Sequence, residues 1–331
     1  MPATSFIRWF RELGLADVAL VGGKNASLGE LYRELTPAGI RVPNGFALTA
    51  EAYRAFLRAS RLGEEIRDTL RGLDTRDLSL LADRGRRIRE AILSHPLPEE
   101  IRGEIAHAYA ELCREFGPDT DTAVRSSATA EDLPTASFAG QQESYLNVRG
   151  ERAVIDACRA CIASLFTDRA ISYRVDKGFD HLAVALSVGV QKMVRSDLGA
   201  AGVLFTIDTE SGFPDVVLIN SAFGLGESVV KGRVDPDEYL VFKPTLGKGH
   251  RPILKRAVGG KQEKLIYATR GQSTRVVPLP AEDRARLSLT DDEVLLLARW
   301  GCQIEDHYSK KSGHHTPMDV EWAKDGRDGE L

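Results

Sequence analysis

VRSSATAEDLPTASFAGQQ, residues 124–142, follows a short apolar run (Thr122–Val124) and then gives up periodicity. Ser126, Ser127, Ala128, Thr129, Ala130, Ser137, Ala139 and Gly140 make it a stretch of small and hydroxylated residues that buries little apolar area. Such a stretch lets backbone approach a ligand closely. Its N–H groups and hydroxyls are suited to phosphate oxygens, and Arg125 at its start supplies paired planar donors. On composition alone it is equally a surface loop, so the rest of the chain has to decide.

Upstream, Val18–Val21 is a short apolar run broken by Gly22-Gly23, after which Lys24 leads into a helix carrying Leu28, Leu31 and Leu35. A glycine pair before a helix N-terminus exposes backbone donors and the positive end of the helix dipole, which suits an anion. The spacing is not that of a Walker A loop, and a tight turn with a solvated lysine fits the same residues. Residues 49–117 are helical in pattern, with Thr49 as an N-cap before Tyr53 and Phe56, and constitute a helical insertion.

Downstream, a strand over 145–148 closes the opening stretch, and one long amphipathic helix is expected over 151–177. The period then turns extended. Strands are expected over 183–194, 200–207, 215–220, 239–242, 253–257 and 264–267, the first two joined by the turn 195–199. Connections this short predict a mainly antiparallel sheet. A helix over 291–308 precedes a polar loop holding His314 and His315, most simply an exposed loop. In the last strand, Met318–Ala323, alternation places Asp319 and Glu321 on one face. Two carboxylates at i and i+2 suit a Mg²⁺ shared with phosphate, and they suit a solvated strand face as well. Residues 324–329 form a hairpin turn with the chain ending shortly after it, which is expected of a fragment of a longer protein.

Bulk properties narrow the choice. The 331 residues are enough for two or three subdomains, and 43% hydrophobic with 28% charged residues is ordinary for a globular chain. The net charge of −4 argues against a broad nucleic-acid or membrane footprint. Four scattered cysteines make no disulfide framework, and Cys158 and Cys161 share a helical face with Val154, Ile162 and Leu165, which marks them as core. No segment has the apolar length of a membrane span and no signal peptide is apparent, so a cytoplasmic location is expected.

Taken together, VGGKNASLGE (21–30), VPNGFALT (42–49), 124–148, QKMV (191–194), GVLFTIDTESG (202–212), FGLGESVVKGRVDPDEY (223–239) and PMDVEWAKDG (317–326) resemble the N-terminal ATP-binding region of the phosphoenolpyruvate synthase family. That family is grouped with pyruvate phosphate dikinase and rifampicin phosphotransferase; GRVDPDEY and KPTL (243–246) look more like the synthase. The resemblance implies an α+β, ATP-grasp-like fold. One subdomain would span 1–180, with its helical insertion at about 50–117, and a second would span 181–331, with ATP held between them. It implies phosphate contacts from Lys24 and Arg125 and a closing loop around Gly140. A hinge at Gln191, Met193 and Val194 would read the adenine edge with its backbone. Thr206 and Glu227 would line the cleft, and Asp319 and Glu321 would hold Mg²⁺. In such an enzyme ATP phosphorylates a histidine on a separate domain, which passes the group to pyruvate, giving phosphoenolpyruvate, AMP and phosphate; the resemblance also suggests a homodimer for the full enzyme. None of the seven histidines here has a setting comparable to that phosphohistidine. Two alternatives remain at this point: a rifampicin-type phosphotransferase and a non-catalytic nucleotide sensor.

Overall fold

The computed structural model describes residues 5–129, 132–133, 136–137, 143–268 and 273–331. The chain divides into two compact units, Met1–Met193 and Val194–Leu331.

The first unit runs β1 (Ile7–Trp9), α1 (Val18–Glu30), β2 (Gly45–Leu48), α2 (Ala50–Ala59), α3 (Leu62–Leu70), α4 (Leu78–Ser94), α5 (Glu99–Phe116), β3 (Thr122–Ala128), the two-residue pair β4 (Asp132–Leu133) and β5 (Ala136–Ser137), β6 (Ser144–Val148), α6 (Glu151–Ser164), α7 (Asp168–Asp176) and β7 (Leu186–Lys192). Its main sheet has the order β1-β2-β7-β3-β6, and each of its pairings is antiparallel. Paired residues of an antiparallel ladder share a face. Phe46, Leu48, Val124, Val188 and Val190 therefore point one way, into a core completed by Tyr53, Ile88, Ile105, Cys158 and Ile162 from the insertion helices and α6 and by Phe166 from the α6–α7 turn. The opposite face is built of small residues and is covered by α1, with Phe10, Leu13, Val21, Ala26 and Ala47 as a smaller core.

The second unit runs β8 (Ala200–Phe205), β9 (Val216–Phe223), α8 (Glu227–Val230), β10 (Asp237–Phe242), α9 (Lys243–Leu246), β11 (Ile253–Ala257), β12 (Glu263–Tyr267), β13 (Thr274–Pro278), α10 (Ala281–Arg284), α11 (Asp291–Ser312) and β14 (Asp319–Lys324). Its sheet, β11-β10-β9-β8-β14, is also antiparallel throughout. The 22-residue helix α11 starts with a full capping box, Thr290 with Glu293, and lays Val294, Leu297, Ala298 and Ile304 on Leu204, Ile219, Tyr239 and Val241.

Three expectations change. Residues 124–128 are not loop but the central strand β3, with Ser126 and Ser127 buried. The strand expected to open the second subdomain, β7, lies in the first sheet between β2 and β3, so the division falls after Met193 rather than at 180. The single helix expected over 151–177 is two, because Thr167 takes an extended conformation and caps α7 by accepting from the Ala170 N–H.

Candidate functional site

In the first unit the candidate phosphate-binding residues arise where α1 meets the small-residue face of the sheet. Ala123, Arg125 and Ser127 of β3 share this face with Ser187, Gly189 and Gln191 of β7 and with Gly45 and Ala47 of β2. The residues are small because the helix lies on them: a Cβ at Gly189 would stand 2.3 Å from Asn25 Oδ1. The helix itself breaks at Gly22, whose φ of 74° and ψ of 165° only glycine adopts without strain. A Cβ there would lie 2.5 Å from the Ser127 carbonyl oxygen. The run Val18–Val21 before the break is helical, and the second helical segment starts just beyond it.

A buried neutral network fixes that restart. The Asn25 N–H donates to Ser127 Oγ (3.3 Å), the Asn25 amide donates to Ser187 Oγ (3.0 Å), and Ser187 Oγ donates to the Leu48 carbonyl (2.7 Å). Lys24 is exposed on the first turn of the new segment. Arg125, half-buried, is paired in the ladder with Gly189, the residue directly under Asn25. An exposed lysine, a guanidinium and a helix N-terminus are thus gathered at one spot, which is chemistry for an anion. Gly140 lies outside the described residues.

Gln191, Met193 and Val194 fall at the end of this unit and the start of the next. The Gln191 amide donates to the Pro43 carbonyl (3.1 Å), the Lys192 N–H to Asn44 (3.0 Å) and the Met193 N–H to the Asp121 carbonyl (2.9 Å). The N–H groups of Lys192 and Met193 are engaged within the unit, so the expectation that this backbone run reads a base is restricted to its other groups.

In the second unit β14 is an edge strand of the described sheet. Asp319 and Glu321 stand exposed on the face opposite α11, paired in the ladder with Phe205 and Val203, while Val320 and Trp322 pack into the α11 core. The Asp319 carboxyl is pushed above its ordinary value, first by loss of surrounding water and second by the Glu321 charge. A hard divalent cation would relieve that repulsion, so the pair fits Mg²⁺ in donor chemistry.

The start of the carboxylate strand is clamped. Thr206 N–H donates to the Met318 carbonyl (2.9 Å), and the Met318 N–H donates to Thr206 Oγ1 (2.8 Å). Lys243 Nζ donates to the Thr206 carbonyl (2.5 Å) and to both oxygens of Glu305 (2.9 and 2.7 Å). Glu305 Oε1 also meets His315 Nε2 at 3.1 Å. Thr206, expected to line a cleft, is fully buried, and its hydroxyl oxygen accepts from the Met318 N–H, so it brackets the start of the carboxylate strand. Glu227 begins α8, is ion-paired with Lys231, and borders a small pocket with Arg233, Lys264 and Leu265. His314 and His315 are exposed loop residues, as expected, and His315 also meets Glu305 of α11.

Sequence reasoning missed Asn25, Ser127 and Ser187 as the support of Lys24, and Lys243 with Glu305 as the support of Asp319. Asn25 and Ser127 sit within quoted motifs and Ser187 within an expected strand, but none of the three carries a charge. Lys243 and Glu305 are separated by 62 positions, so only the fold pairs them.

Comparison with known proteins gives the family. Residues 18–331 match the family described as pyruvate phosphate dikinase, AMP/ATP-binding domain. The chain is 54% identical over 334 residues to the phosphoenolpyruvate synthase of Synechocystis sp., covering 99% of this chain and 41% of that protein. It is 53% identical to the one of Helicobacter pylori, with 98% and 40% covered, and 49% identical to the one of Escherichia coli, with 99% and 41% covered. The chain spans about two fifths of the length of these curated relatives. It therefore belongs to the pyruvate phosphate dikinase AMP/ATP-binding domain family.

Proposed function

We propose that this chain is the Mg-ATP-binding part of a phosphoenolpyruvate synthase. The whole protein would convert ATP, pyruvate and water to phosphoenolpyruvate, AMP and phosphate through a phosphohistidine lying outside these 331 residues. Near-complete coverage of the chain by relatives of that name supports the reading. The observation that carries it is that each unit presents ligand groups of one charge sign: Lys24 at a helix restart with Arg125 on β3 in the first, and Asp319 with Glu321 on an open strand face in the second.

In this reading Lys24 and Arg125 bind and orient the phosphates, and Asp319 and Glu321 hold Mg²⁺, which neutralises phosphate charge when bound. Thr206, Lys243 and Glu305 fix where the carboxylates stand. Glu227 lines the nucleotide site, and the chain acts in the cytoplasm. Among the described residues no helix is long and apolar enough to cross a membrane.

Thermal unfolding with and without Mg-ATP tests the site. Ligand should raise the melting temperature by mass action, and Arg125→Ala and Glu321→Ala should each abolish most of the rise. A rise that survives both substitutions refutes the assignment. Turnover of a rifamycin but not of pyruvate by the full-length protein would refute the substrate.

A further inference from the structure

A second cluster of donors lies in the first unit, on the far side of the sheet from Lys24 and Arg125. Arg174 of α7 is fully buried. Its Nε–H donates to His181 Nδ1 (3.1 Å), and its guanidinium lies over the Phe166 ring at 5.2 Å. Its Nη1 and Nη2 have no hydrogen-bond partner among the described residues. Neither do the hydroxyl of Tyr53, 1% exposed on α2 and electrostatically linked to Arg174, or that of Thr49, the extended residue just before that helix.

Arg174 Nη1 and Nη2 can only donate, and the two hydroxyls can donate as well as accept. Because His181 Nδ1 accepts from Arg174, the imidazole is neutral there, and burial beside the guanidinium pushes its pKa down to about 4. Burial lowers the Arg174 pKa only to about 10, so the side chain stays charged at neutral pH. Burial raises the Tyr53 phenol, which stays protonated and can donate. The charged and titratable groups bearing on Arg174 and its two partners are Tyr53, His181, Arg54 and Asp180, and none gives Arg174 a carboxylate contact. Asp180 accepts instead from the N–H groups of Leu182 and Ala183.

A buried cation without a counter-charge is strongly unfavourable, and a water molecule would satisfy N–H groups without supplying one. We propose that Arg174 and Tyr53 form an internal site for a small monovalent inorganic anion of halide size, a structural ion inside the core of the first unit. Both side chains are buried, which suits a small ion rather than an organic acid. The site stands independently of the nucleotide reading, because it lies among α2, α7 and Phe166 on the opposite face of the sheet.

Thermal unfolding of the purified protein in sodium bromide or chloride should exceed that in sodium gluconate at equal ionic strength by about 3 °C or more. Arg174→Met should remove that halide increment, and Tyr53→Phe should shrink it while leaving the fold intact. Crystals soaked in bromide should show an anomalous peak in contact with Nη1 and Nη2 of Arg174. If Arg174→Met does not fold, the bromide peak and the Tyr53→Phe increment decide. No peak at Arg174, or an undiminished halide increment in Arg174→Met, overturns the proposal.

Discussion

The two five-stranded sheets support their candidate ligand groups by different physical means. Under Lys24 and Arg125 the buried polar network is neutral: an asparagine, two serines and a carbonyl, with glycine at the point of closest approach. In the second unit it is ionic. Lys243 holds Glu305 behind the carboxylate strand, and Lys261, fully buried with Asp237, locks the loop after β11 to the start of β10. A neutral network depends on fit and tolerates partial loss. An ionic one depends on balance, since removing one partner strands a charge.

The largest effect should therefore come from Asp237. It accepts from Lys261 Nζ, the Gly259 N–H (2.9 Å), and the Ser288 N–H (2.8 Å) and Oγ–H (2.6 Å). Asp237→Asn leaves Lys261 buried without its counter-charge and should cost about 3–5 kcal/mol. Trp300 and Trp322 belong to this unit, so urea unfolding followed by fluorescence reports it. A loss below about 1 kcal/mol would remove the ionic half of the contrast.

Gly22→Ala is the corresponding test of the neutral half. The left-handed backbone should cost about 1–3 kcal/mol, and contact with the Ser127 backbone would push the restarted helix off the sheet. Stability should fall less than in Asp237→Asn, yet the Mg-ATP-dependent rise in melting temperature should vanish. Retained ligand stabilisation would mean that the position of Lys24 does not depend on this approach.

Glu305→Gln comes next. It leaves Lys243 with the Thr206 carbonyl and a neutral amide, and should cost about 1–3 kcal/mol. Because Thr206 brackets Met318, the Mg²⁺ concentration needed for half-maximal ATP stabilisation should rise while the metal-free affinity for ATP stays constant. Equal change in both would make Glu305 a framework residue with no bearing on the carboxylates.

These contrasts also explain what the sequence disclosed. The carboxylate strand was legible because alternation is local: Val320 and Trp322 turn in, Asp319 and Glu321 turn out. The strands over 200–267 were legible for the same reason. The central strand β3 was not, since Arg125-Ser126-Ser127-Ala128 has no β-branched or large apolar residue; its small side chains answer to α1, which no neighbouring position reveals. Sheet membership of β7 was misjudged because a short turn to β8 suggests a hairpin, whereas its pairing with β2 and β3 is set by residues far away in sequence. The bond between Thr206 and Met318 was not legible either, because the two are 112 positions apart.

The smallest effect concerns the carboxylates themselves, and its sign is diagnostic. Burial and then Glu321 hold Asp319 above its unperturbed value of 3.8. A carboxyl raised in the folded state leaves stability whole below the unfolded value and erodes it as pH rises through the folded value. At neutral pH the charged Asp319–Glu321 pair therefore works against folding. Asp319→Asn should raise the stability of the ligand-free protein at pH 7, within about 0.5 kcal/mol for so exposed a site. The gain should disappear near pH 3, where wild-type Asp319 is protonated. Mg-ATP should invert the order at pH 7, because a divalent cation needs the charge that folding resists. A ligand-free Asp319→Asn protein less stable than wild type at pH 7 would show that Asp319 belongs to the framework, and the two sheets would then differ less than their networks suggest.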